Sequence, residues 1–358
     1  MSTGFHSLEI AEVRREIADA VSLRFVVPEE LADDFRFTPG QHLTLRTRID
    51  GEEVRRNYSI CTAPQDGELR VAIKQIANGL FSGWANQSLS AGETLDVMPP
   101  HGSFTWDFDP ACSRTYAGFA GGSGITPILS LLKTALTTEP GSRFLLFYGN
   151  RSTDTIMFLD EIASLKDRFM GRVQIFHFLE DEEGDLNLFN GRLDTGKMTE
   201  ITGLLFDPGD IDAAFICGPG PMMDAVETGL VSAGVAADRV LTERFTVDKM
   251  SEEQLRAARE LEQKAAGKPV VITLDGRRRK IAFDPSNETI LENARASGMS
   301  APFACKAGVC ATCRAKVVKG EVTMIQNFGL SPEEVAQGYV LTCQAVPLSD
   351  EVELDFDA

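Results

Sequence analysis

The sequence predicts a multidomain fold with an antiparallel β-barrel or sandwich, an α/β unit with a parallel sheet, and a small α+β unit. Its 358 residues exceed one ordinary domain, because domains average roughly 100 to 200 residues. Short apolar stretches separated by turn dipeptides fill residues 5–108, whereas strands alternate with helices from Thr115 onward. Four of the seven cysteines lie in the last quarter of the chain. Several separate cores are therefore expected.

The first unit, predicted over residues 1–110, is built from short strands. Residues 41–48 and 69–77 alternate apolar and polar side chains or run apolar, which is typical of strands in an antiparallel sheet. Turn signals stand at the dipeptides Pro39-Gly40, Asp50-Gly51 and Asp66-Gly67. This spacing of strands and turns predicts the barrel or sandwich.

The second unit, predicted over residues 111–246, repeats the order strand, turn, helix. A strand at residues 116–120 leads through a glycine turn into an apolar helix at residues 128–136. Further strands are predicted at residues 144–148, 173–178, 213–217 and 240–244, and further helices near residues 158–166 and 222–233. Strands that alternate with helices indicate a parallel sheet.

The third unit, predicted over residues 269–358, follows a helical linker at residues 247–268. The linker sequence begins with a possible capping box from Ser251 to Gln254. The linker either stands alone as a semi-rigid spacer or packs its apolar residues on a neighbouring domain. The third unit is β-rich, with strands near residues 270–274, 279–283, 315–318 and 351–356 and a helix near residues 289–297.

The charge and hydropathy of the chain exclude several classes of partner. With 35 Lys and Arg against 53 Asp and Glu, the net charge of −18 repels phosphate backbones and anionic membranes. No apolar run approaches the roughly 20 residues that a transmembrane helix needs. The first residues lack the pattern of a secretory signal, so we expect a cytoplasmic protein without a nucleic-acid or membrane partner.

The cysteines near the end of the chain have the spacing of an iron-sulfur site. A C-x4-C-x2-C run followed by a distant fourth cysteine is the plant-type ferredoxin pattern for a 2Fe-2S cluster. Small residues between these cysteines allow backbone N–H groups to approach the sulfurs. The alternative is a four-cysteine zinc site, but such sites usually pair two C-x2-C knuckles, and this chain has one. The predicted metal ligands are Cys305, Cys310, Cys313 and Cys343.

The segment RRNYSIC resembles the flavin-binding motif of the ferredoxin-NADP reductase superfamily. The resemblance implies that Arg56 meets the flavin phosphate and that Tyr58, Ser59 and Ile60 line the isoalloxazine and ribityl portion. These residue types suit the task, because arginine offers a planar fork to phosphate and tyrosine an aromatic face. By itself the motif also fits an exposed arginine beside a strand tyrosine.

A second segment strengthens the flavin prediction and favours FAD. Gly79 and Ser82 stand at a predicted helix start, about where the superfamily holds the FAD pyrophosphate.

A glycine turn between strand and helix predicts a pyridine-nucleotide site. Glycines permit close approach of the backbone to a phosphate, Thr126 can cap the helix, and Pro127 suits its first turn. Pro127 stands where the usual dinucleotide fingerprint has its third glycine. The predicted contacts are Gly121, Gly122, Ser123, Gly124 and Thr126.

Two residues after the next strand bear on the choice of nucleotide. Arg151 and Ser152 stand where an acid would otherwise bind a ribose hydroxyl, and Arg151 could meet a 2′-phosphate. We therefore favour NADPH over NADH, with a solvent-facing arginine as the alternative.

The segment FICGPGPMM closes a later strand before a helix. In the superfamily this segment lies by the nicotinamide, which implies contacts from Cys217, Gly218 and Pro219. The alternative is a buried strand cysteine followed by a structural turn.

Nearly the whole chain resembles the reductase subunits of phenylacetyl-CoA epoxidase complexes, which end in a plant-type ferredoxin domain of the β-grasp fold. The resemblance runs through GQHLTL, RRNYSIC, GGSGITP, CKAGVCATC and GYVLTCQA to the terminal DFDA. It implies that electrons pass from NADPH through FAD and the cluster to a separate di-iron oxygenase component. It also implies that Phe245 flanks the flavin ring and acts with Ser59 and Cys217 at the catalytic centre.

Two alternatives stay open. The chain could be the reductase of a steroid-type or other ring hydroxylase, or a non-enzymatic iron-sulfur carrier or zinc-stabilised binding module.

Overall fold

The computed structural model describes residues 4–184, 186–245 and 250–358. The chain folds as two compact units, Met1–Phe245 and Thr246–Ala358. Among the described residues, no helix combines the length and apolar character needed to cross a bilayer. The predicted boundary near residue 110 falls inside the first unit, and the domain boundaries remain predictions.

An antiparallel barrel forms the first half of the first unit. Its strands pair in the order β4-β3-β6-β1-β2-β5, and a bridge between Ile60 and Val71 joins the two ends. Asp50 and Gly51 turn β3 into β4 with φ angles of 52° and 84°, as their sequence predicts. The elements are β1 (His6–Ile17), β2 (Ala20–Val26), β3 (His42–Ile49), β4 (Glu52–Ser59), β5 (Leu69–Lys74), helix α1 (Leu80–Ser88) and β6 (Thr94–Val97).

A parallel sheet flanked by helices forms the second half of this unit, in the order β11-β10-β7-β8-β9. The first strand, β7, lies in the middle, and its successors run outward to both sides. The order in which successive strands are added to the sheet therefore reverses between β7 and β10. Sheets of this kind bind ligands at such a point, beside the carboxyl ends of the strands. The elements are β7 (Thr115–Gly121), α2 (Ile125–Thr138), β8 (Arg143–Asn150), α3 (Leu159–Arg168), β9 (Val173–Leu179), α4 (Thr195–Ile201), β10 (Ala213–Cys217), α5 (Gly220–Ser232) and β11 (Val240–Glu243).

Helix α2 of the parallel-sheet half contacts the barrel through its side chains. Ser130 Oγ donates a hydrogen bond of 2.6 Å to the Thr62 carbonyl oxygen. Lys133 Nζ lies 2.5 Å from an Asp66 carboxylate oxygen and 2.7 Å from Glu161 Oε1. The contacts to Thr62 and Asp66 join α2 to the barrel within the first compact unit, and the contact to Glu161 joins α2 to α3.

The second unit begins with the helix predicted for the linker, α6 (Glu252–Lys264), and Ser251 and Gln254 form the predicted capping box. Leu261 and Ala265 pack on the core of this unit, which matches the packed alternative rather than the free spacer. The sheet order is β13-β12-β18-β14-β16, with β15 and β17 as a separate ribbon. The elements are β12 (Pro269–Leu274), β13 (Arg277–Ala282), α7 (Ile290–Ala296), β14 (Arg314–Lys319), β15 (Val322–Met324), α8 (Pro332–Ala336), β16 (Tyr339–Leu341), β17 (Ala345–Pro347) and β18 (Val352–Asp355).

This mixed sheet with a helix against it is the predicted β-grasp arrangement. Strands β12 and β18 pair in parallel, and the other neighbours in the sheet are antiparallel. Ile290, Leu291 and Ala294 of α7 are fully buried in the core.

Candidate functional site

Two turns meet at the carboxyl edge of the parallel sheet, one after β7 and one after β10. A Cβ atom on Gly124 would lie 2.1 Å from the Cys217 carbonyl oxygen, and one on Gly121 would lie 2.6 Å from Pro219 Cδ. Only glycine fits at either position, because real Cβ contacts are never this short. The sequence-predicted nucleotide residues of the two turns are thus in contact with each other.

The N-terminus of α2 continues a 3₁₀ turn at Gly122–Gly124, and the Ile125 N–H bonds the carbonyl oxygens of Gly122 and Ser123. Its N-cap residue is Gly124, which provides no side-chain acceptor, and Pro127 lies in the first turn as predicted. The prediction that Thr126 caps the helix is wrong. The helix begins two residues earlier than this cap implies, and Thr126 Oγ1 donates to the Ser123 carbonyl oxygen at 3.0 Å. An uncapped helix N-terminus after a glycine turn is a suitable phosphate site.

A carboxylate that the sequence analysis missed joins the barrel to the parallel sheet. Ser59 Oγ donates a hydrogen bond of 3.2 Å to Glu243 Oε2. Glu243 ends β11 and pairs in register with Cys217, which ends β10. Burial raises the pKa of the Cys217 thiol well above its usual value, and the Glu243 carboxylate adds to this effect. Ser59, Cys217 and Glu243 therefore form one cluster.

Phe245 lies two residues beyond this cluster, at the end of the first compact unit. Its side chain is 39% exposed, so a large apolar ring faces outward beside Glu243. In the sequence, the segment Glu243-Arg244-Phe245 was the signal from which this carboxylate could have been identified. Its pairing with Ser59 depends on tertiary structure.

The predicted flavin residues line the end of β4 and the start of α1. Arg56 is exposed and donates through Nη1 to the Arg55 carbonyl oxygen at 2.7 Å. The Tyr58 ring lies 5.6 Å from the Phe81 ring, and burial raises the Tyr58 pKa. Ile60 is fully buried. An exposed guanidinium and a half-buried aromatic face on one strand can serve the phosphate and the ring of one ligand.

Gly79 and Ser82 shape the start of α1. Gly79 is the N-cap residue, as predicted, and it leaves the first N–H groups of the helix without a side-chain acceptor. The Ser82 hydroxyl accepts from the Ile76 N–H at 3.2 Å and donates to the Gly79 carbonyl oxygen at 3.3 Å. The Ser82 hydroxyl therefore stabilises the turn before α1. The backbone N–H groups at the start of α1 are the donors that remain for a phosphate.

Arg151 and Ser152 follow the carboxyl end of β8. The Arg151 carbonyl accepts from the Asp181 N–H at 2.7 Å, and its side chain is exposed. The pKa of the Glu180 carboxyl is lowered chiefly by Arg192, with Arg151 contributing. Ser152 forms a capping box with Thr155. A cation is therefore present beside the glycine turns, within reach of an acidic loop.

The cysteine loop has a backbone that points N–H groups at sulfur. Lys306, Gly308 and Ala311 have φ angles of 55°, 74° and 53°, which non-glycine residues adopt only at special sites. The Ala307 N–H donates to Cys305 Sγ at 3.3 Å, and the Gly308 N–H bonds the Cys343 sulfur. Alternating backbone conformations of this kind make anion-binding concavities that suit an iron-sulfur cluster.

The four thiols at this loop form two pairs. Cys305 bonds Cys310 and thereby lowers the pKa of Cys310, while Cys313 bonds Cys343 and lowers the pKa of Cys343. Within the described ranges, no three His, Cys, Asp or Glu side chains converge closely enough to hold one metal ion. A zinc site needs four ligands around one point. Two thiol pairs instead fit the two irons of a 2Fe-2S cluster.

Comparison with known families divides the chain into three matched segments. Residues 7–106 match the oxidoreductase FAD-binding domain, residues 119–228 the oxidoreductase NAD-binding domain, and residues 272–348 the 2Fe-2S iron-sulfur cluster binding domain. These segments contain the barrel, the glycine turns and the cysteine loop, respectively.

Curated relatives match the chain over nearly its whole length. A component of the 1,2-phenylacetyl-CoA epoxidase of Escherichia coli is 43% identical, with 99% of each chain covered. The ferredoxin reductase component of the 3-ketosteroid-9-alpha-monooxygenase of Rhodococcus rhodochrous is 34% identical, covering 98% of this chain and 96% of its own. The chain belongs to the oxygenase reductases of the ferredoxin-NADP reductase family. The reductase is an NAD(P)H-dependent oxidoreductase, as predicted.

Solved structures support the predicted fold of this reductase. Phthalate dioxygenase reductase superposes with a TM-score of 0.60 at 24% identity, covering 99% of this chain and 98% of its own. An intact type IV self-sufficient cytochrome P450 monooxygenase superposes with a TM-score of 0.71 at 22% identity, covering 98% of this chain and 41% of its own. Barrel, parallel sheet and ferredoxin module therefore recur in this order in a known fold.

Proposed function

We propose that this reductase passes electrons from NADPH, through FAD and a 2Fe-2S cluster, to the oxygenase component that epoxidises phenylacetyl-CoA. The observation that carries the acceptor is the 43% identity, over 99% of both chains, to a protein named as a component of the 1,2-phenylacetyl-CoA epoxidase. The relatives named for ketosteroid monooxygenases are 33% to 36% identical, and those named for glycine betaine monooxygenases are 29% to 31% identical. A di-iron oxygenase is the proposed partner.

The three cofactors would together convert a two-electron transfer from the nicotinamide into one-electron steps. A nicotinamide gives two electrons as hydride, a flavin takes two and releases them singly, and a 2Fe-2S cluster carries one. The protein has to bind these groups and align them.

The residues of the first unit would hold the flavin at the junction of barrel and sheet. Arg56 would bind its phosphate, and the N–H groups that follow Gly79 would bind the pyrophosphate of FAD. Tyr58 and Phe245 would offer aromatic faces to the ring, and Ser59 would lie at its edge. The support is that Ser59, at the end of β4, bonds Glu243, at the end of β11, and that the Tyr58 ring lies 5.6 Å from the Phe81 ring of α1.

The two glycine turns would hold the nucleotide. The N–H groups of the glycine turn that leads into α2 would bind its pyrophosphate, and Cys217, Gly218 and Pro219 would lie by the nicotinamide. Cys217 is buried and the pKa of its thiol is raised. The thiol would therefore stay neutral and pack against the ligand rather than act as a nucleophile. We propose NADPH as the nucleotide because Arg151 and Ser152 can bond a 2′-phosphate.

The cysteine loop would hold the cluster through its two thiol pairs. Cys305 and Cys310 would bind one iron, and Cys313 and Cys343 the other. The N–H groups of Ala307 and Gly308, which bond cysteine sulfurs, would then stabilise the negative charge of the sulfurs. Free cysteines are typical of a reducing compartment, which supports the cytoplasm as the proposed location.

Anaerobic titration of the purified protein with NADPH tests the electron path. Flavin absorbance should bleach first, and the cluster spectrum should follow. Flavin that stays oxidised, or a cluster that NADPH does not reduce, would contradict the proposal. NADH serves as the parallel titrant, because a lower KM for NADH than for NADPH would overturn the nucleotide assignment.

Reconstitution identifies the acceptor. The reductase is mixed separately with the oxygenase components of a phenylacetyl-CoA epoxidase and of a ketosteroid monooxygenase. NADPH oxidation coupled stoichiometrically to epoxide is the expected result. Coupling to the steroid product alone would assign the reductase to the second system.

A further inference from the structure

The hydroxyl of Tyr148 bonds the backbone of the glycine turn that leads into α2. Strands β7 and β8 pair in parallel with Tyr148 beside Ala120, so the Tyr148 side chain lies next to the turn that follows β7. Its Oη donates a hydrogen bond of 3.0 Å to the Gly122 carbonyl oxygen. The Tyr148 side chain is fully buried, in the core that also contains the apolar side chains of α2. Solvent therefore competes weakly for this bond.

The direction of this hydrogen bond follows from the chemistry of its two atoms. A carbonyl oxygen only accepts, so the proton comes from the Tyr148 hydroxyl. Burial raises the pKa of Tyr148, and the hydroxyl therefore keeps its proton. The Asn150 side chain, on the same strand, forms no hydrogen bond with any residue that the structure describes. Asn150 therefore does not take this proton from Gly122.

The Gly122 carbonyl orients the peptide that joins Gly122 to Ser123. Its oxygen accepts a second bond, from the Ile125 N–H, so both of its lone pairs are used. In a planar trans peptide, the C=O of one residue and the N–H of the next point in opposite directions. Because the carbonyl is held toward Tyr148 and the start of α2, the Ser123 N–H points away from both.

This peptide is the exposed part of the glycine turn. Gly122 and Ser123 are partly exposed, whereas Gly121 and Gly124 are buried. A Cβ atom on Gly122 would meet no described atom within 4 Å, so the space beside it is open. The first N–H groups of a helical turn have no partner within that turn. The Ser123 N–H is therefore a donor that a phosphate can reach.

We propose that Tyr148 is a positioning residue for the pyrophosphate of the nucleotide. Its hydroxyl holds the Gly122 carbonyl and thereby keeps the Ser123 N–H directed at one of the phosphates. Tyr148 acts through the glycine turn and does not touch the nucleotide itself. The proposal rests on the proposed function, in which this turn binds the pyrophosphate. NADPH and NADH share that group, so Tyr148 affects both nucleotides alike.

Tyr148→Phe removes the hydroxyl and keeps the buried ring. We expect the Kd values of NADP⁺ and of NAD⁺ each to rise about tenfold, because a buried hydrogen bond that orients the turn is lost. Calorimetric titration of the protein loaded with flavin and cluster measures both constants. Unchanged Kd values would overturn the proposal. A rise for NADP⁺ alone would also overturn it, because the effect would then lie at the 2′-phosphate.

A hydride donor without phosphate separates a role at the pyrophosphate from general damage to the protein. 1-Benzyl-1,4-dihydronicotinamide carries the reacting ring of NADPH but no group that the glycine turn could bind. In Tyr148→Phe its rate constant for bleaching the flavin should stay within about twofold of the wild-type value, since it lacks the affected binding contact. Equal losses of kcat/KM with this donor and with NADPH would overturn the proposal.

Tyr116→Phe is the matched control. Tyr116 is also fully buried, and its hydroxyl donates to Glu139 Oε2 at 2.9 Å, near the amino end of β7. This variant loses a buried tyrosine hydroxyl of the same kind, but not one that bonds the glycine turn. It should bind NADP⁺ as the wild type does. Equal weakening in Tyr116→Phe and Tyr148→Phe would overturn the proposal, because the loss of either hydroxyl would then act through stability.

The titrations also distinguish this proposal from the proposed function. A wild-type protein that binds NADP⁺, but whose flavin NADPH does not bleach, would refute the proposed electron path. The comparison of Kd values between wild type and Tyr148→Phe would still decide the role of Tyr148. A wild-type protein that binds no NADP⁺ would overturn both.

Discussion

Ser59 Oγ donates a hydrogen bond to Glu243 Oε2 across 3.2 Å, joining two residues that are 184 positions apart in the chain. One residue ends a barrel strand and the other ends a strand of the parallel sheet. The bond therefore ties the predicted flavin site to the predicted nicotinamide site. Any change that loosens it should disturb the alignment of the two ligands.

Ser59→Ala is expected to slow hydride transfer by about 10²-fold, because small misplacements of reacting groups have effects of this size. The affinity for NADPH should change little, since Ser59 is not among the residues proposed to bind the NADPH phosphates. Stopped-flow bleaching of the flavin at several NADPH concentrations separates the rate from the affinity. The matched control is Ser88→Ala, at an exposed position of α1. An unchanged rate in Ser59→Ala would remove Ser59 from the catalytic centre.

Sequence alone predicts the parts of this site that depend on local spacing. The cysteine loop and the glycine turns are short segments whose backbone geometry follows from nearby residues. Glu243 could not be predicted in the same way, because its contacts arise from strand pairing with Cys217 and from a residue in another sheet. Strand β1 escaped prediction because charged side chains interrupt its alternation and its register with β2 shifts twice. The Thr126 cap failed because a short 3₁₀ turn lets the helix begin earlier.

Arg151→Gln is expected to raise the KM for NADPH about tenfold and to leave the KM for NADH nearly unchanged. The reason is that a charge-assisted bond to the 2′-phosphate is lost, and NADH lacks that group. Steady-state kinetics with an artificial acceptor measure both constants.

Arg239→Gln is the matched control for this test, because Arg239 precedes the amino end of β11, at the edge of the sheet opposite to Arg151. Equal changes of KM for both nucleotides in Arg151→Gln would mean that Arg151 does not recognise the 2′-phosphate.

Cys310→Ser is expected to abolish the cluster and leave hydride transfer from NADPH to the flavin intact. The sulfur of Cys310 is buried and receives bonds from Cys305 and Thr312, so serine cannot replace it as a ligand of iron. Iron and sulfide analysis, together with stopped-flow bleaching of the flavin, measures both effects. Cys112→Ser, in a loop of the first unit, should keep its iron. Loss of flavin reduction in Cys310→Ser would contradict the separation of the two functions.

His101 should make the first unit sensitive to acid. Its pKa is lowered to about 3, chiefly by burial, whereas an unfolded chain binds the proton below about pH 6.5. The unfolded state therefore gains protons first, so the stability that neutral His101 provides is complete above about pH 6.5 and decreases as the pH falls toward 3. From pH 7 to pH 5 the loss is about 1–2 kcal/mol.

Urea unfolding followed by tryptophan fluorescence measures this loss, because both tryptophans, Trp84 and Trp106, lie in the first unit. In His101→Gln the difference between the unfolding midpoints at pH 7 and pH 5 should shrink. His6→Gln is the control on the same barrel. A difference that stays at the wild-type value in His101→Gln would show that other groups cause the acid sensitivity.

Gly308 and Gly276 allow the geometry of the cysteine loop to be tested with a matched pair. Both have positive φ angles, 74° and 67°, so alanine at either position is strained by about 1 kcal/mol. A Cβ atom on Gly276 would meet nothing within 4 Å, whereas one on Gly308 would lie 3.0 Å from Gln344 Cγ and 3.1 Å from the Gln326 carbonyl oxygen. Gly308→Ala should therefore displace the loop that bonds the Cys343 sulfur, and the cluster should be lost faster to a chelator than in Gly276→Ala. Equal rates of loss, followed by the visible absorbance of the cluster, would mean that the close packing around Gly308 does not stabilise the site.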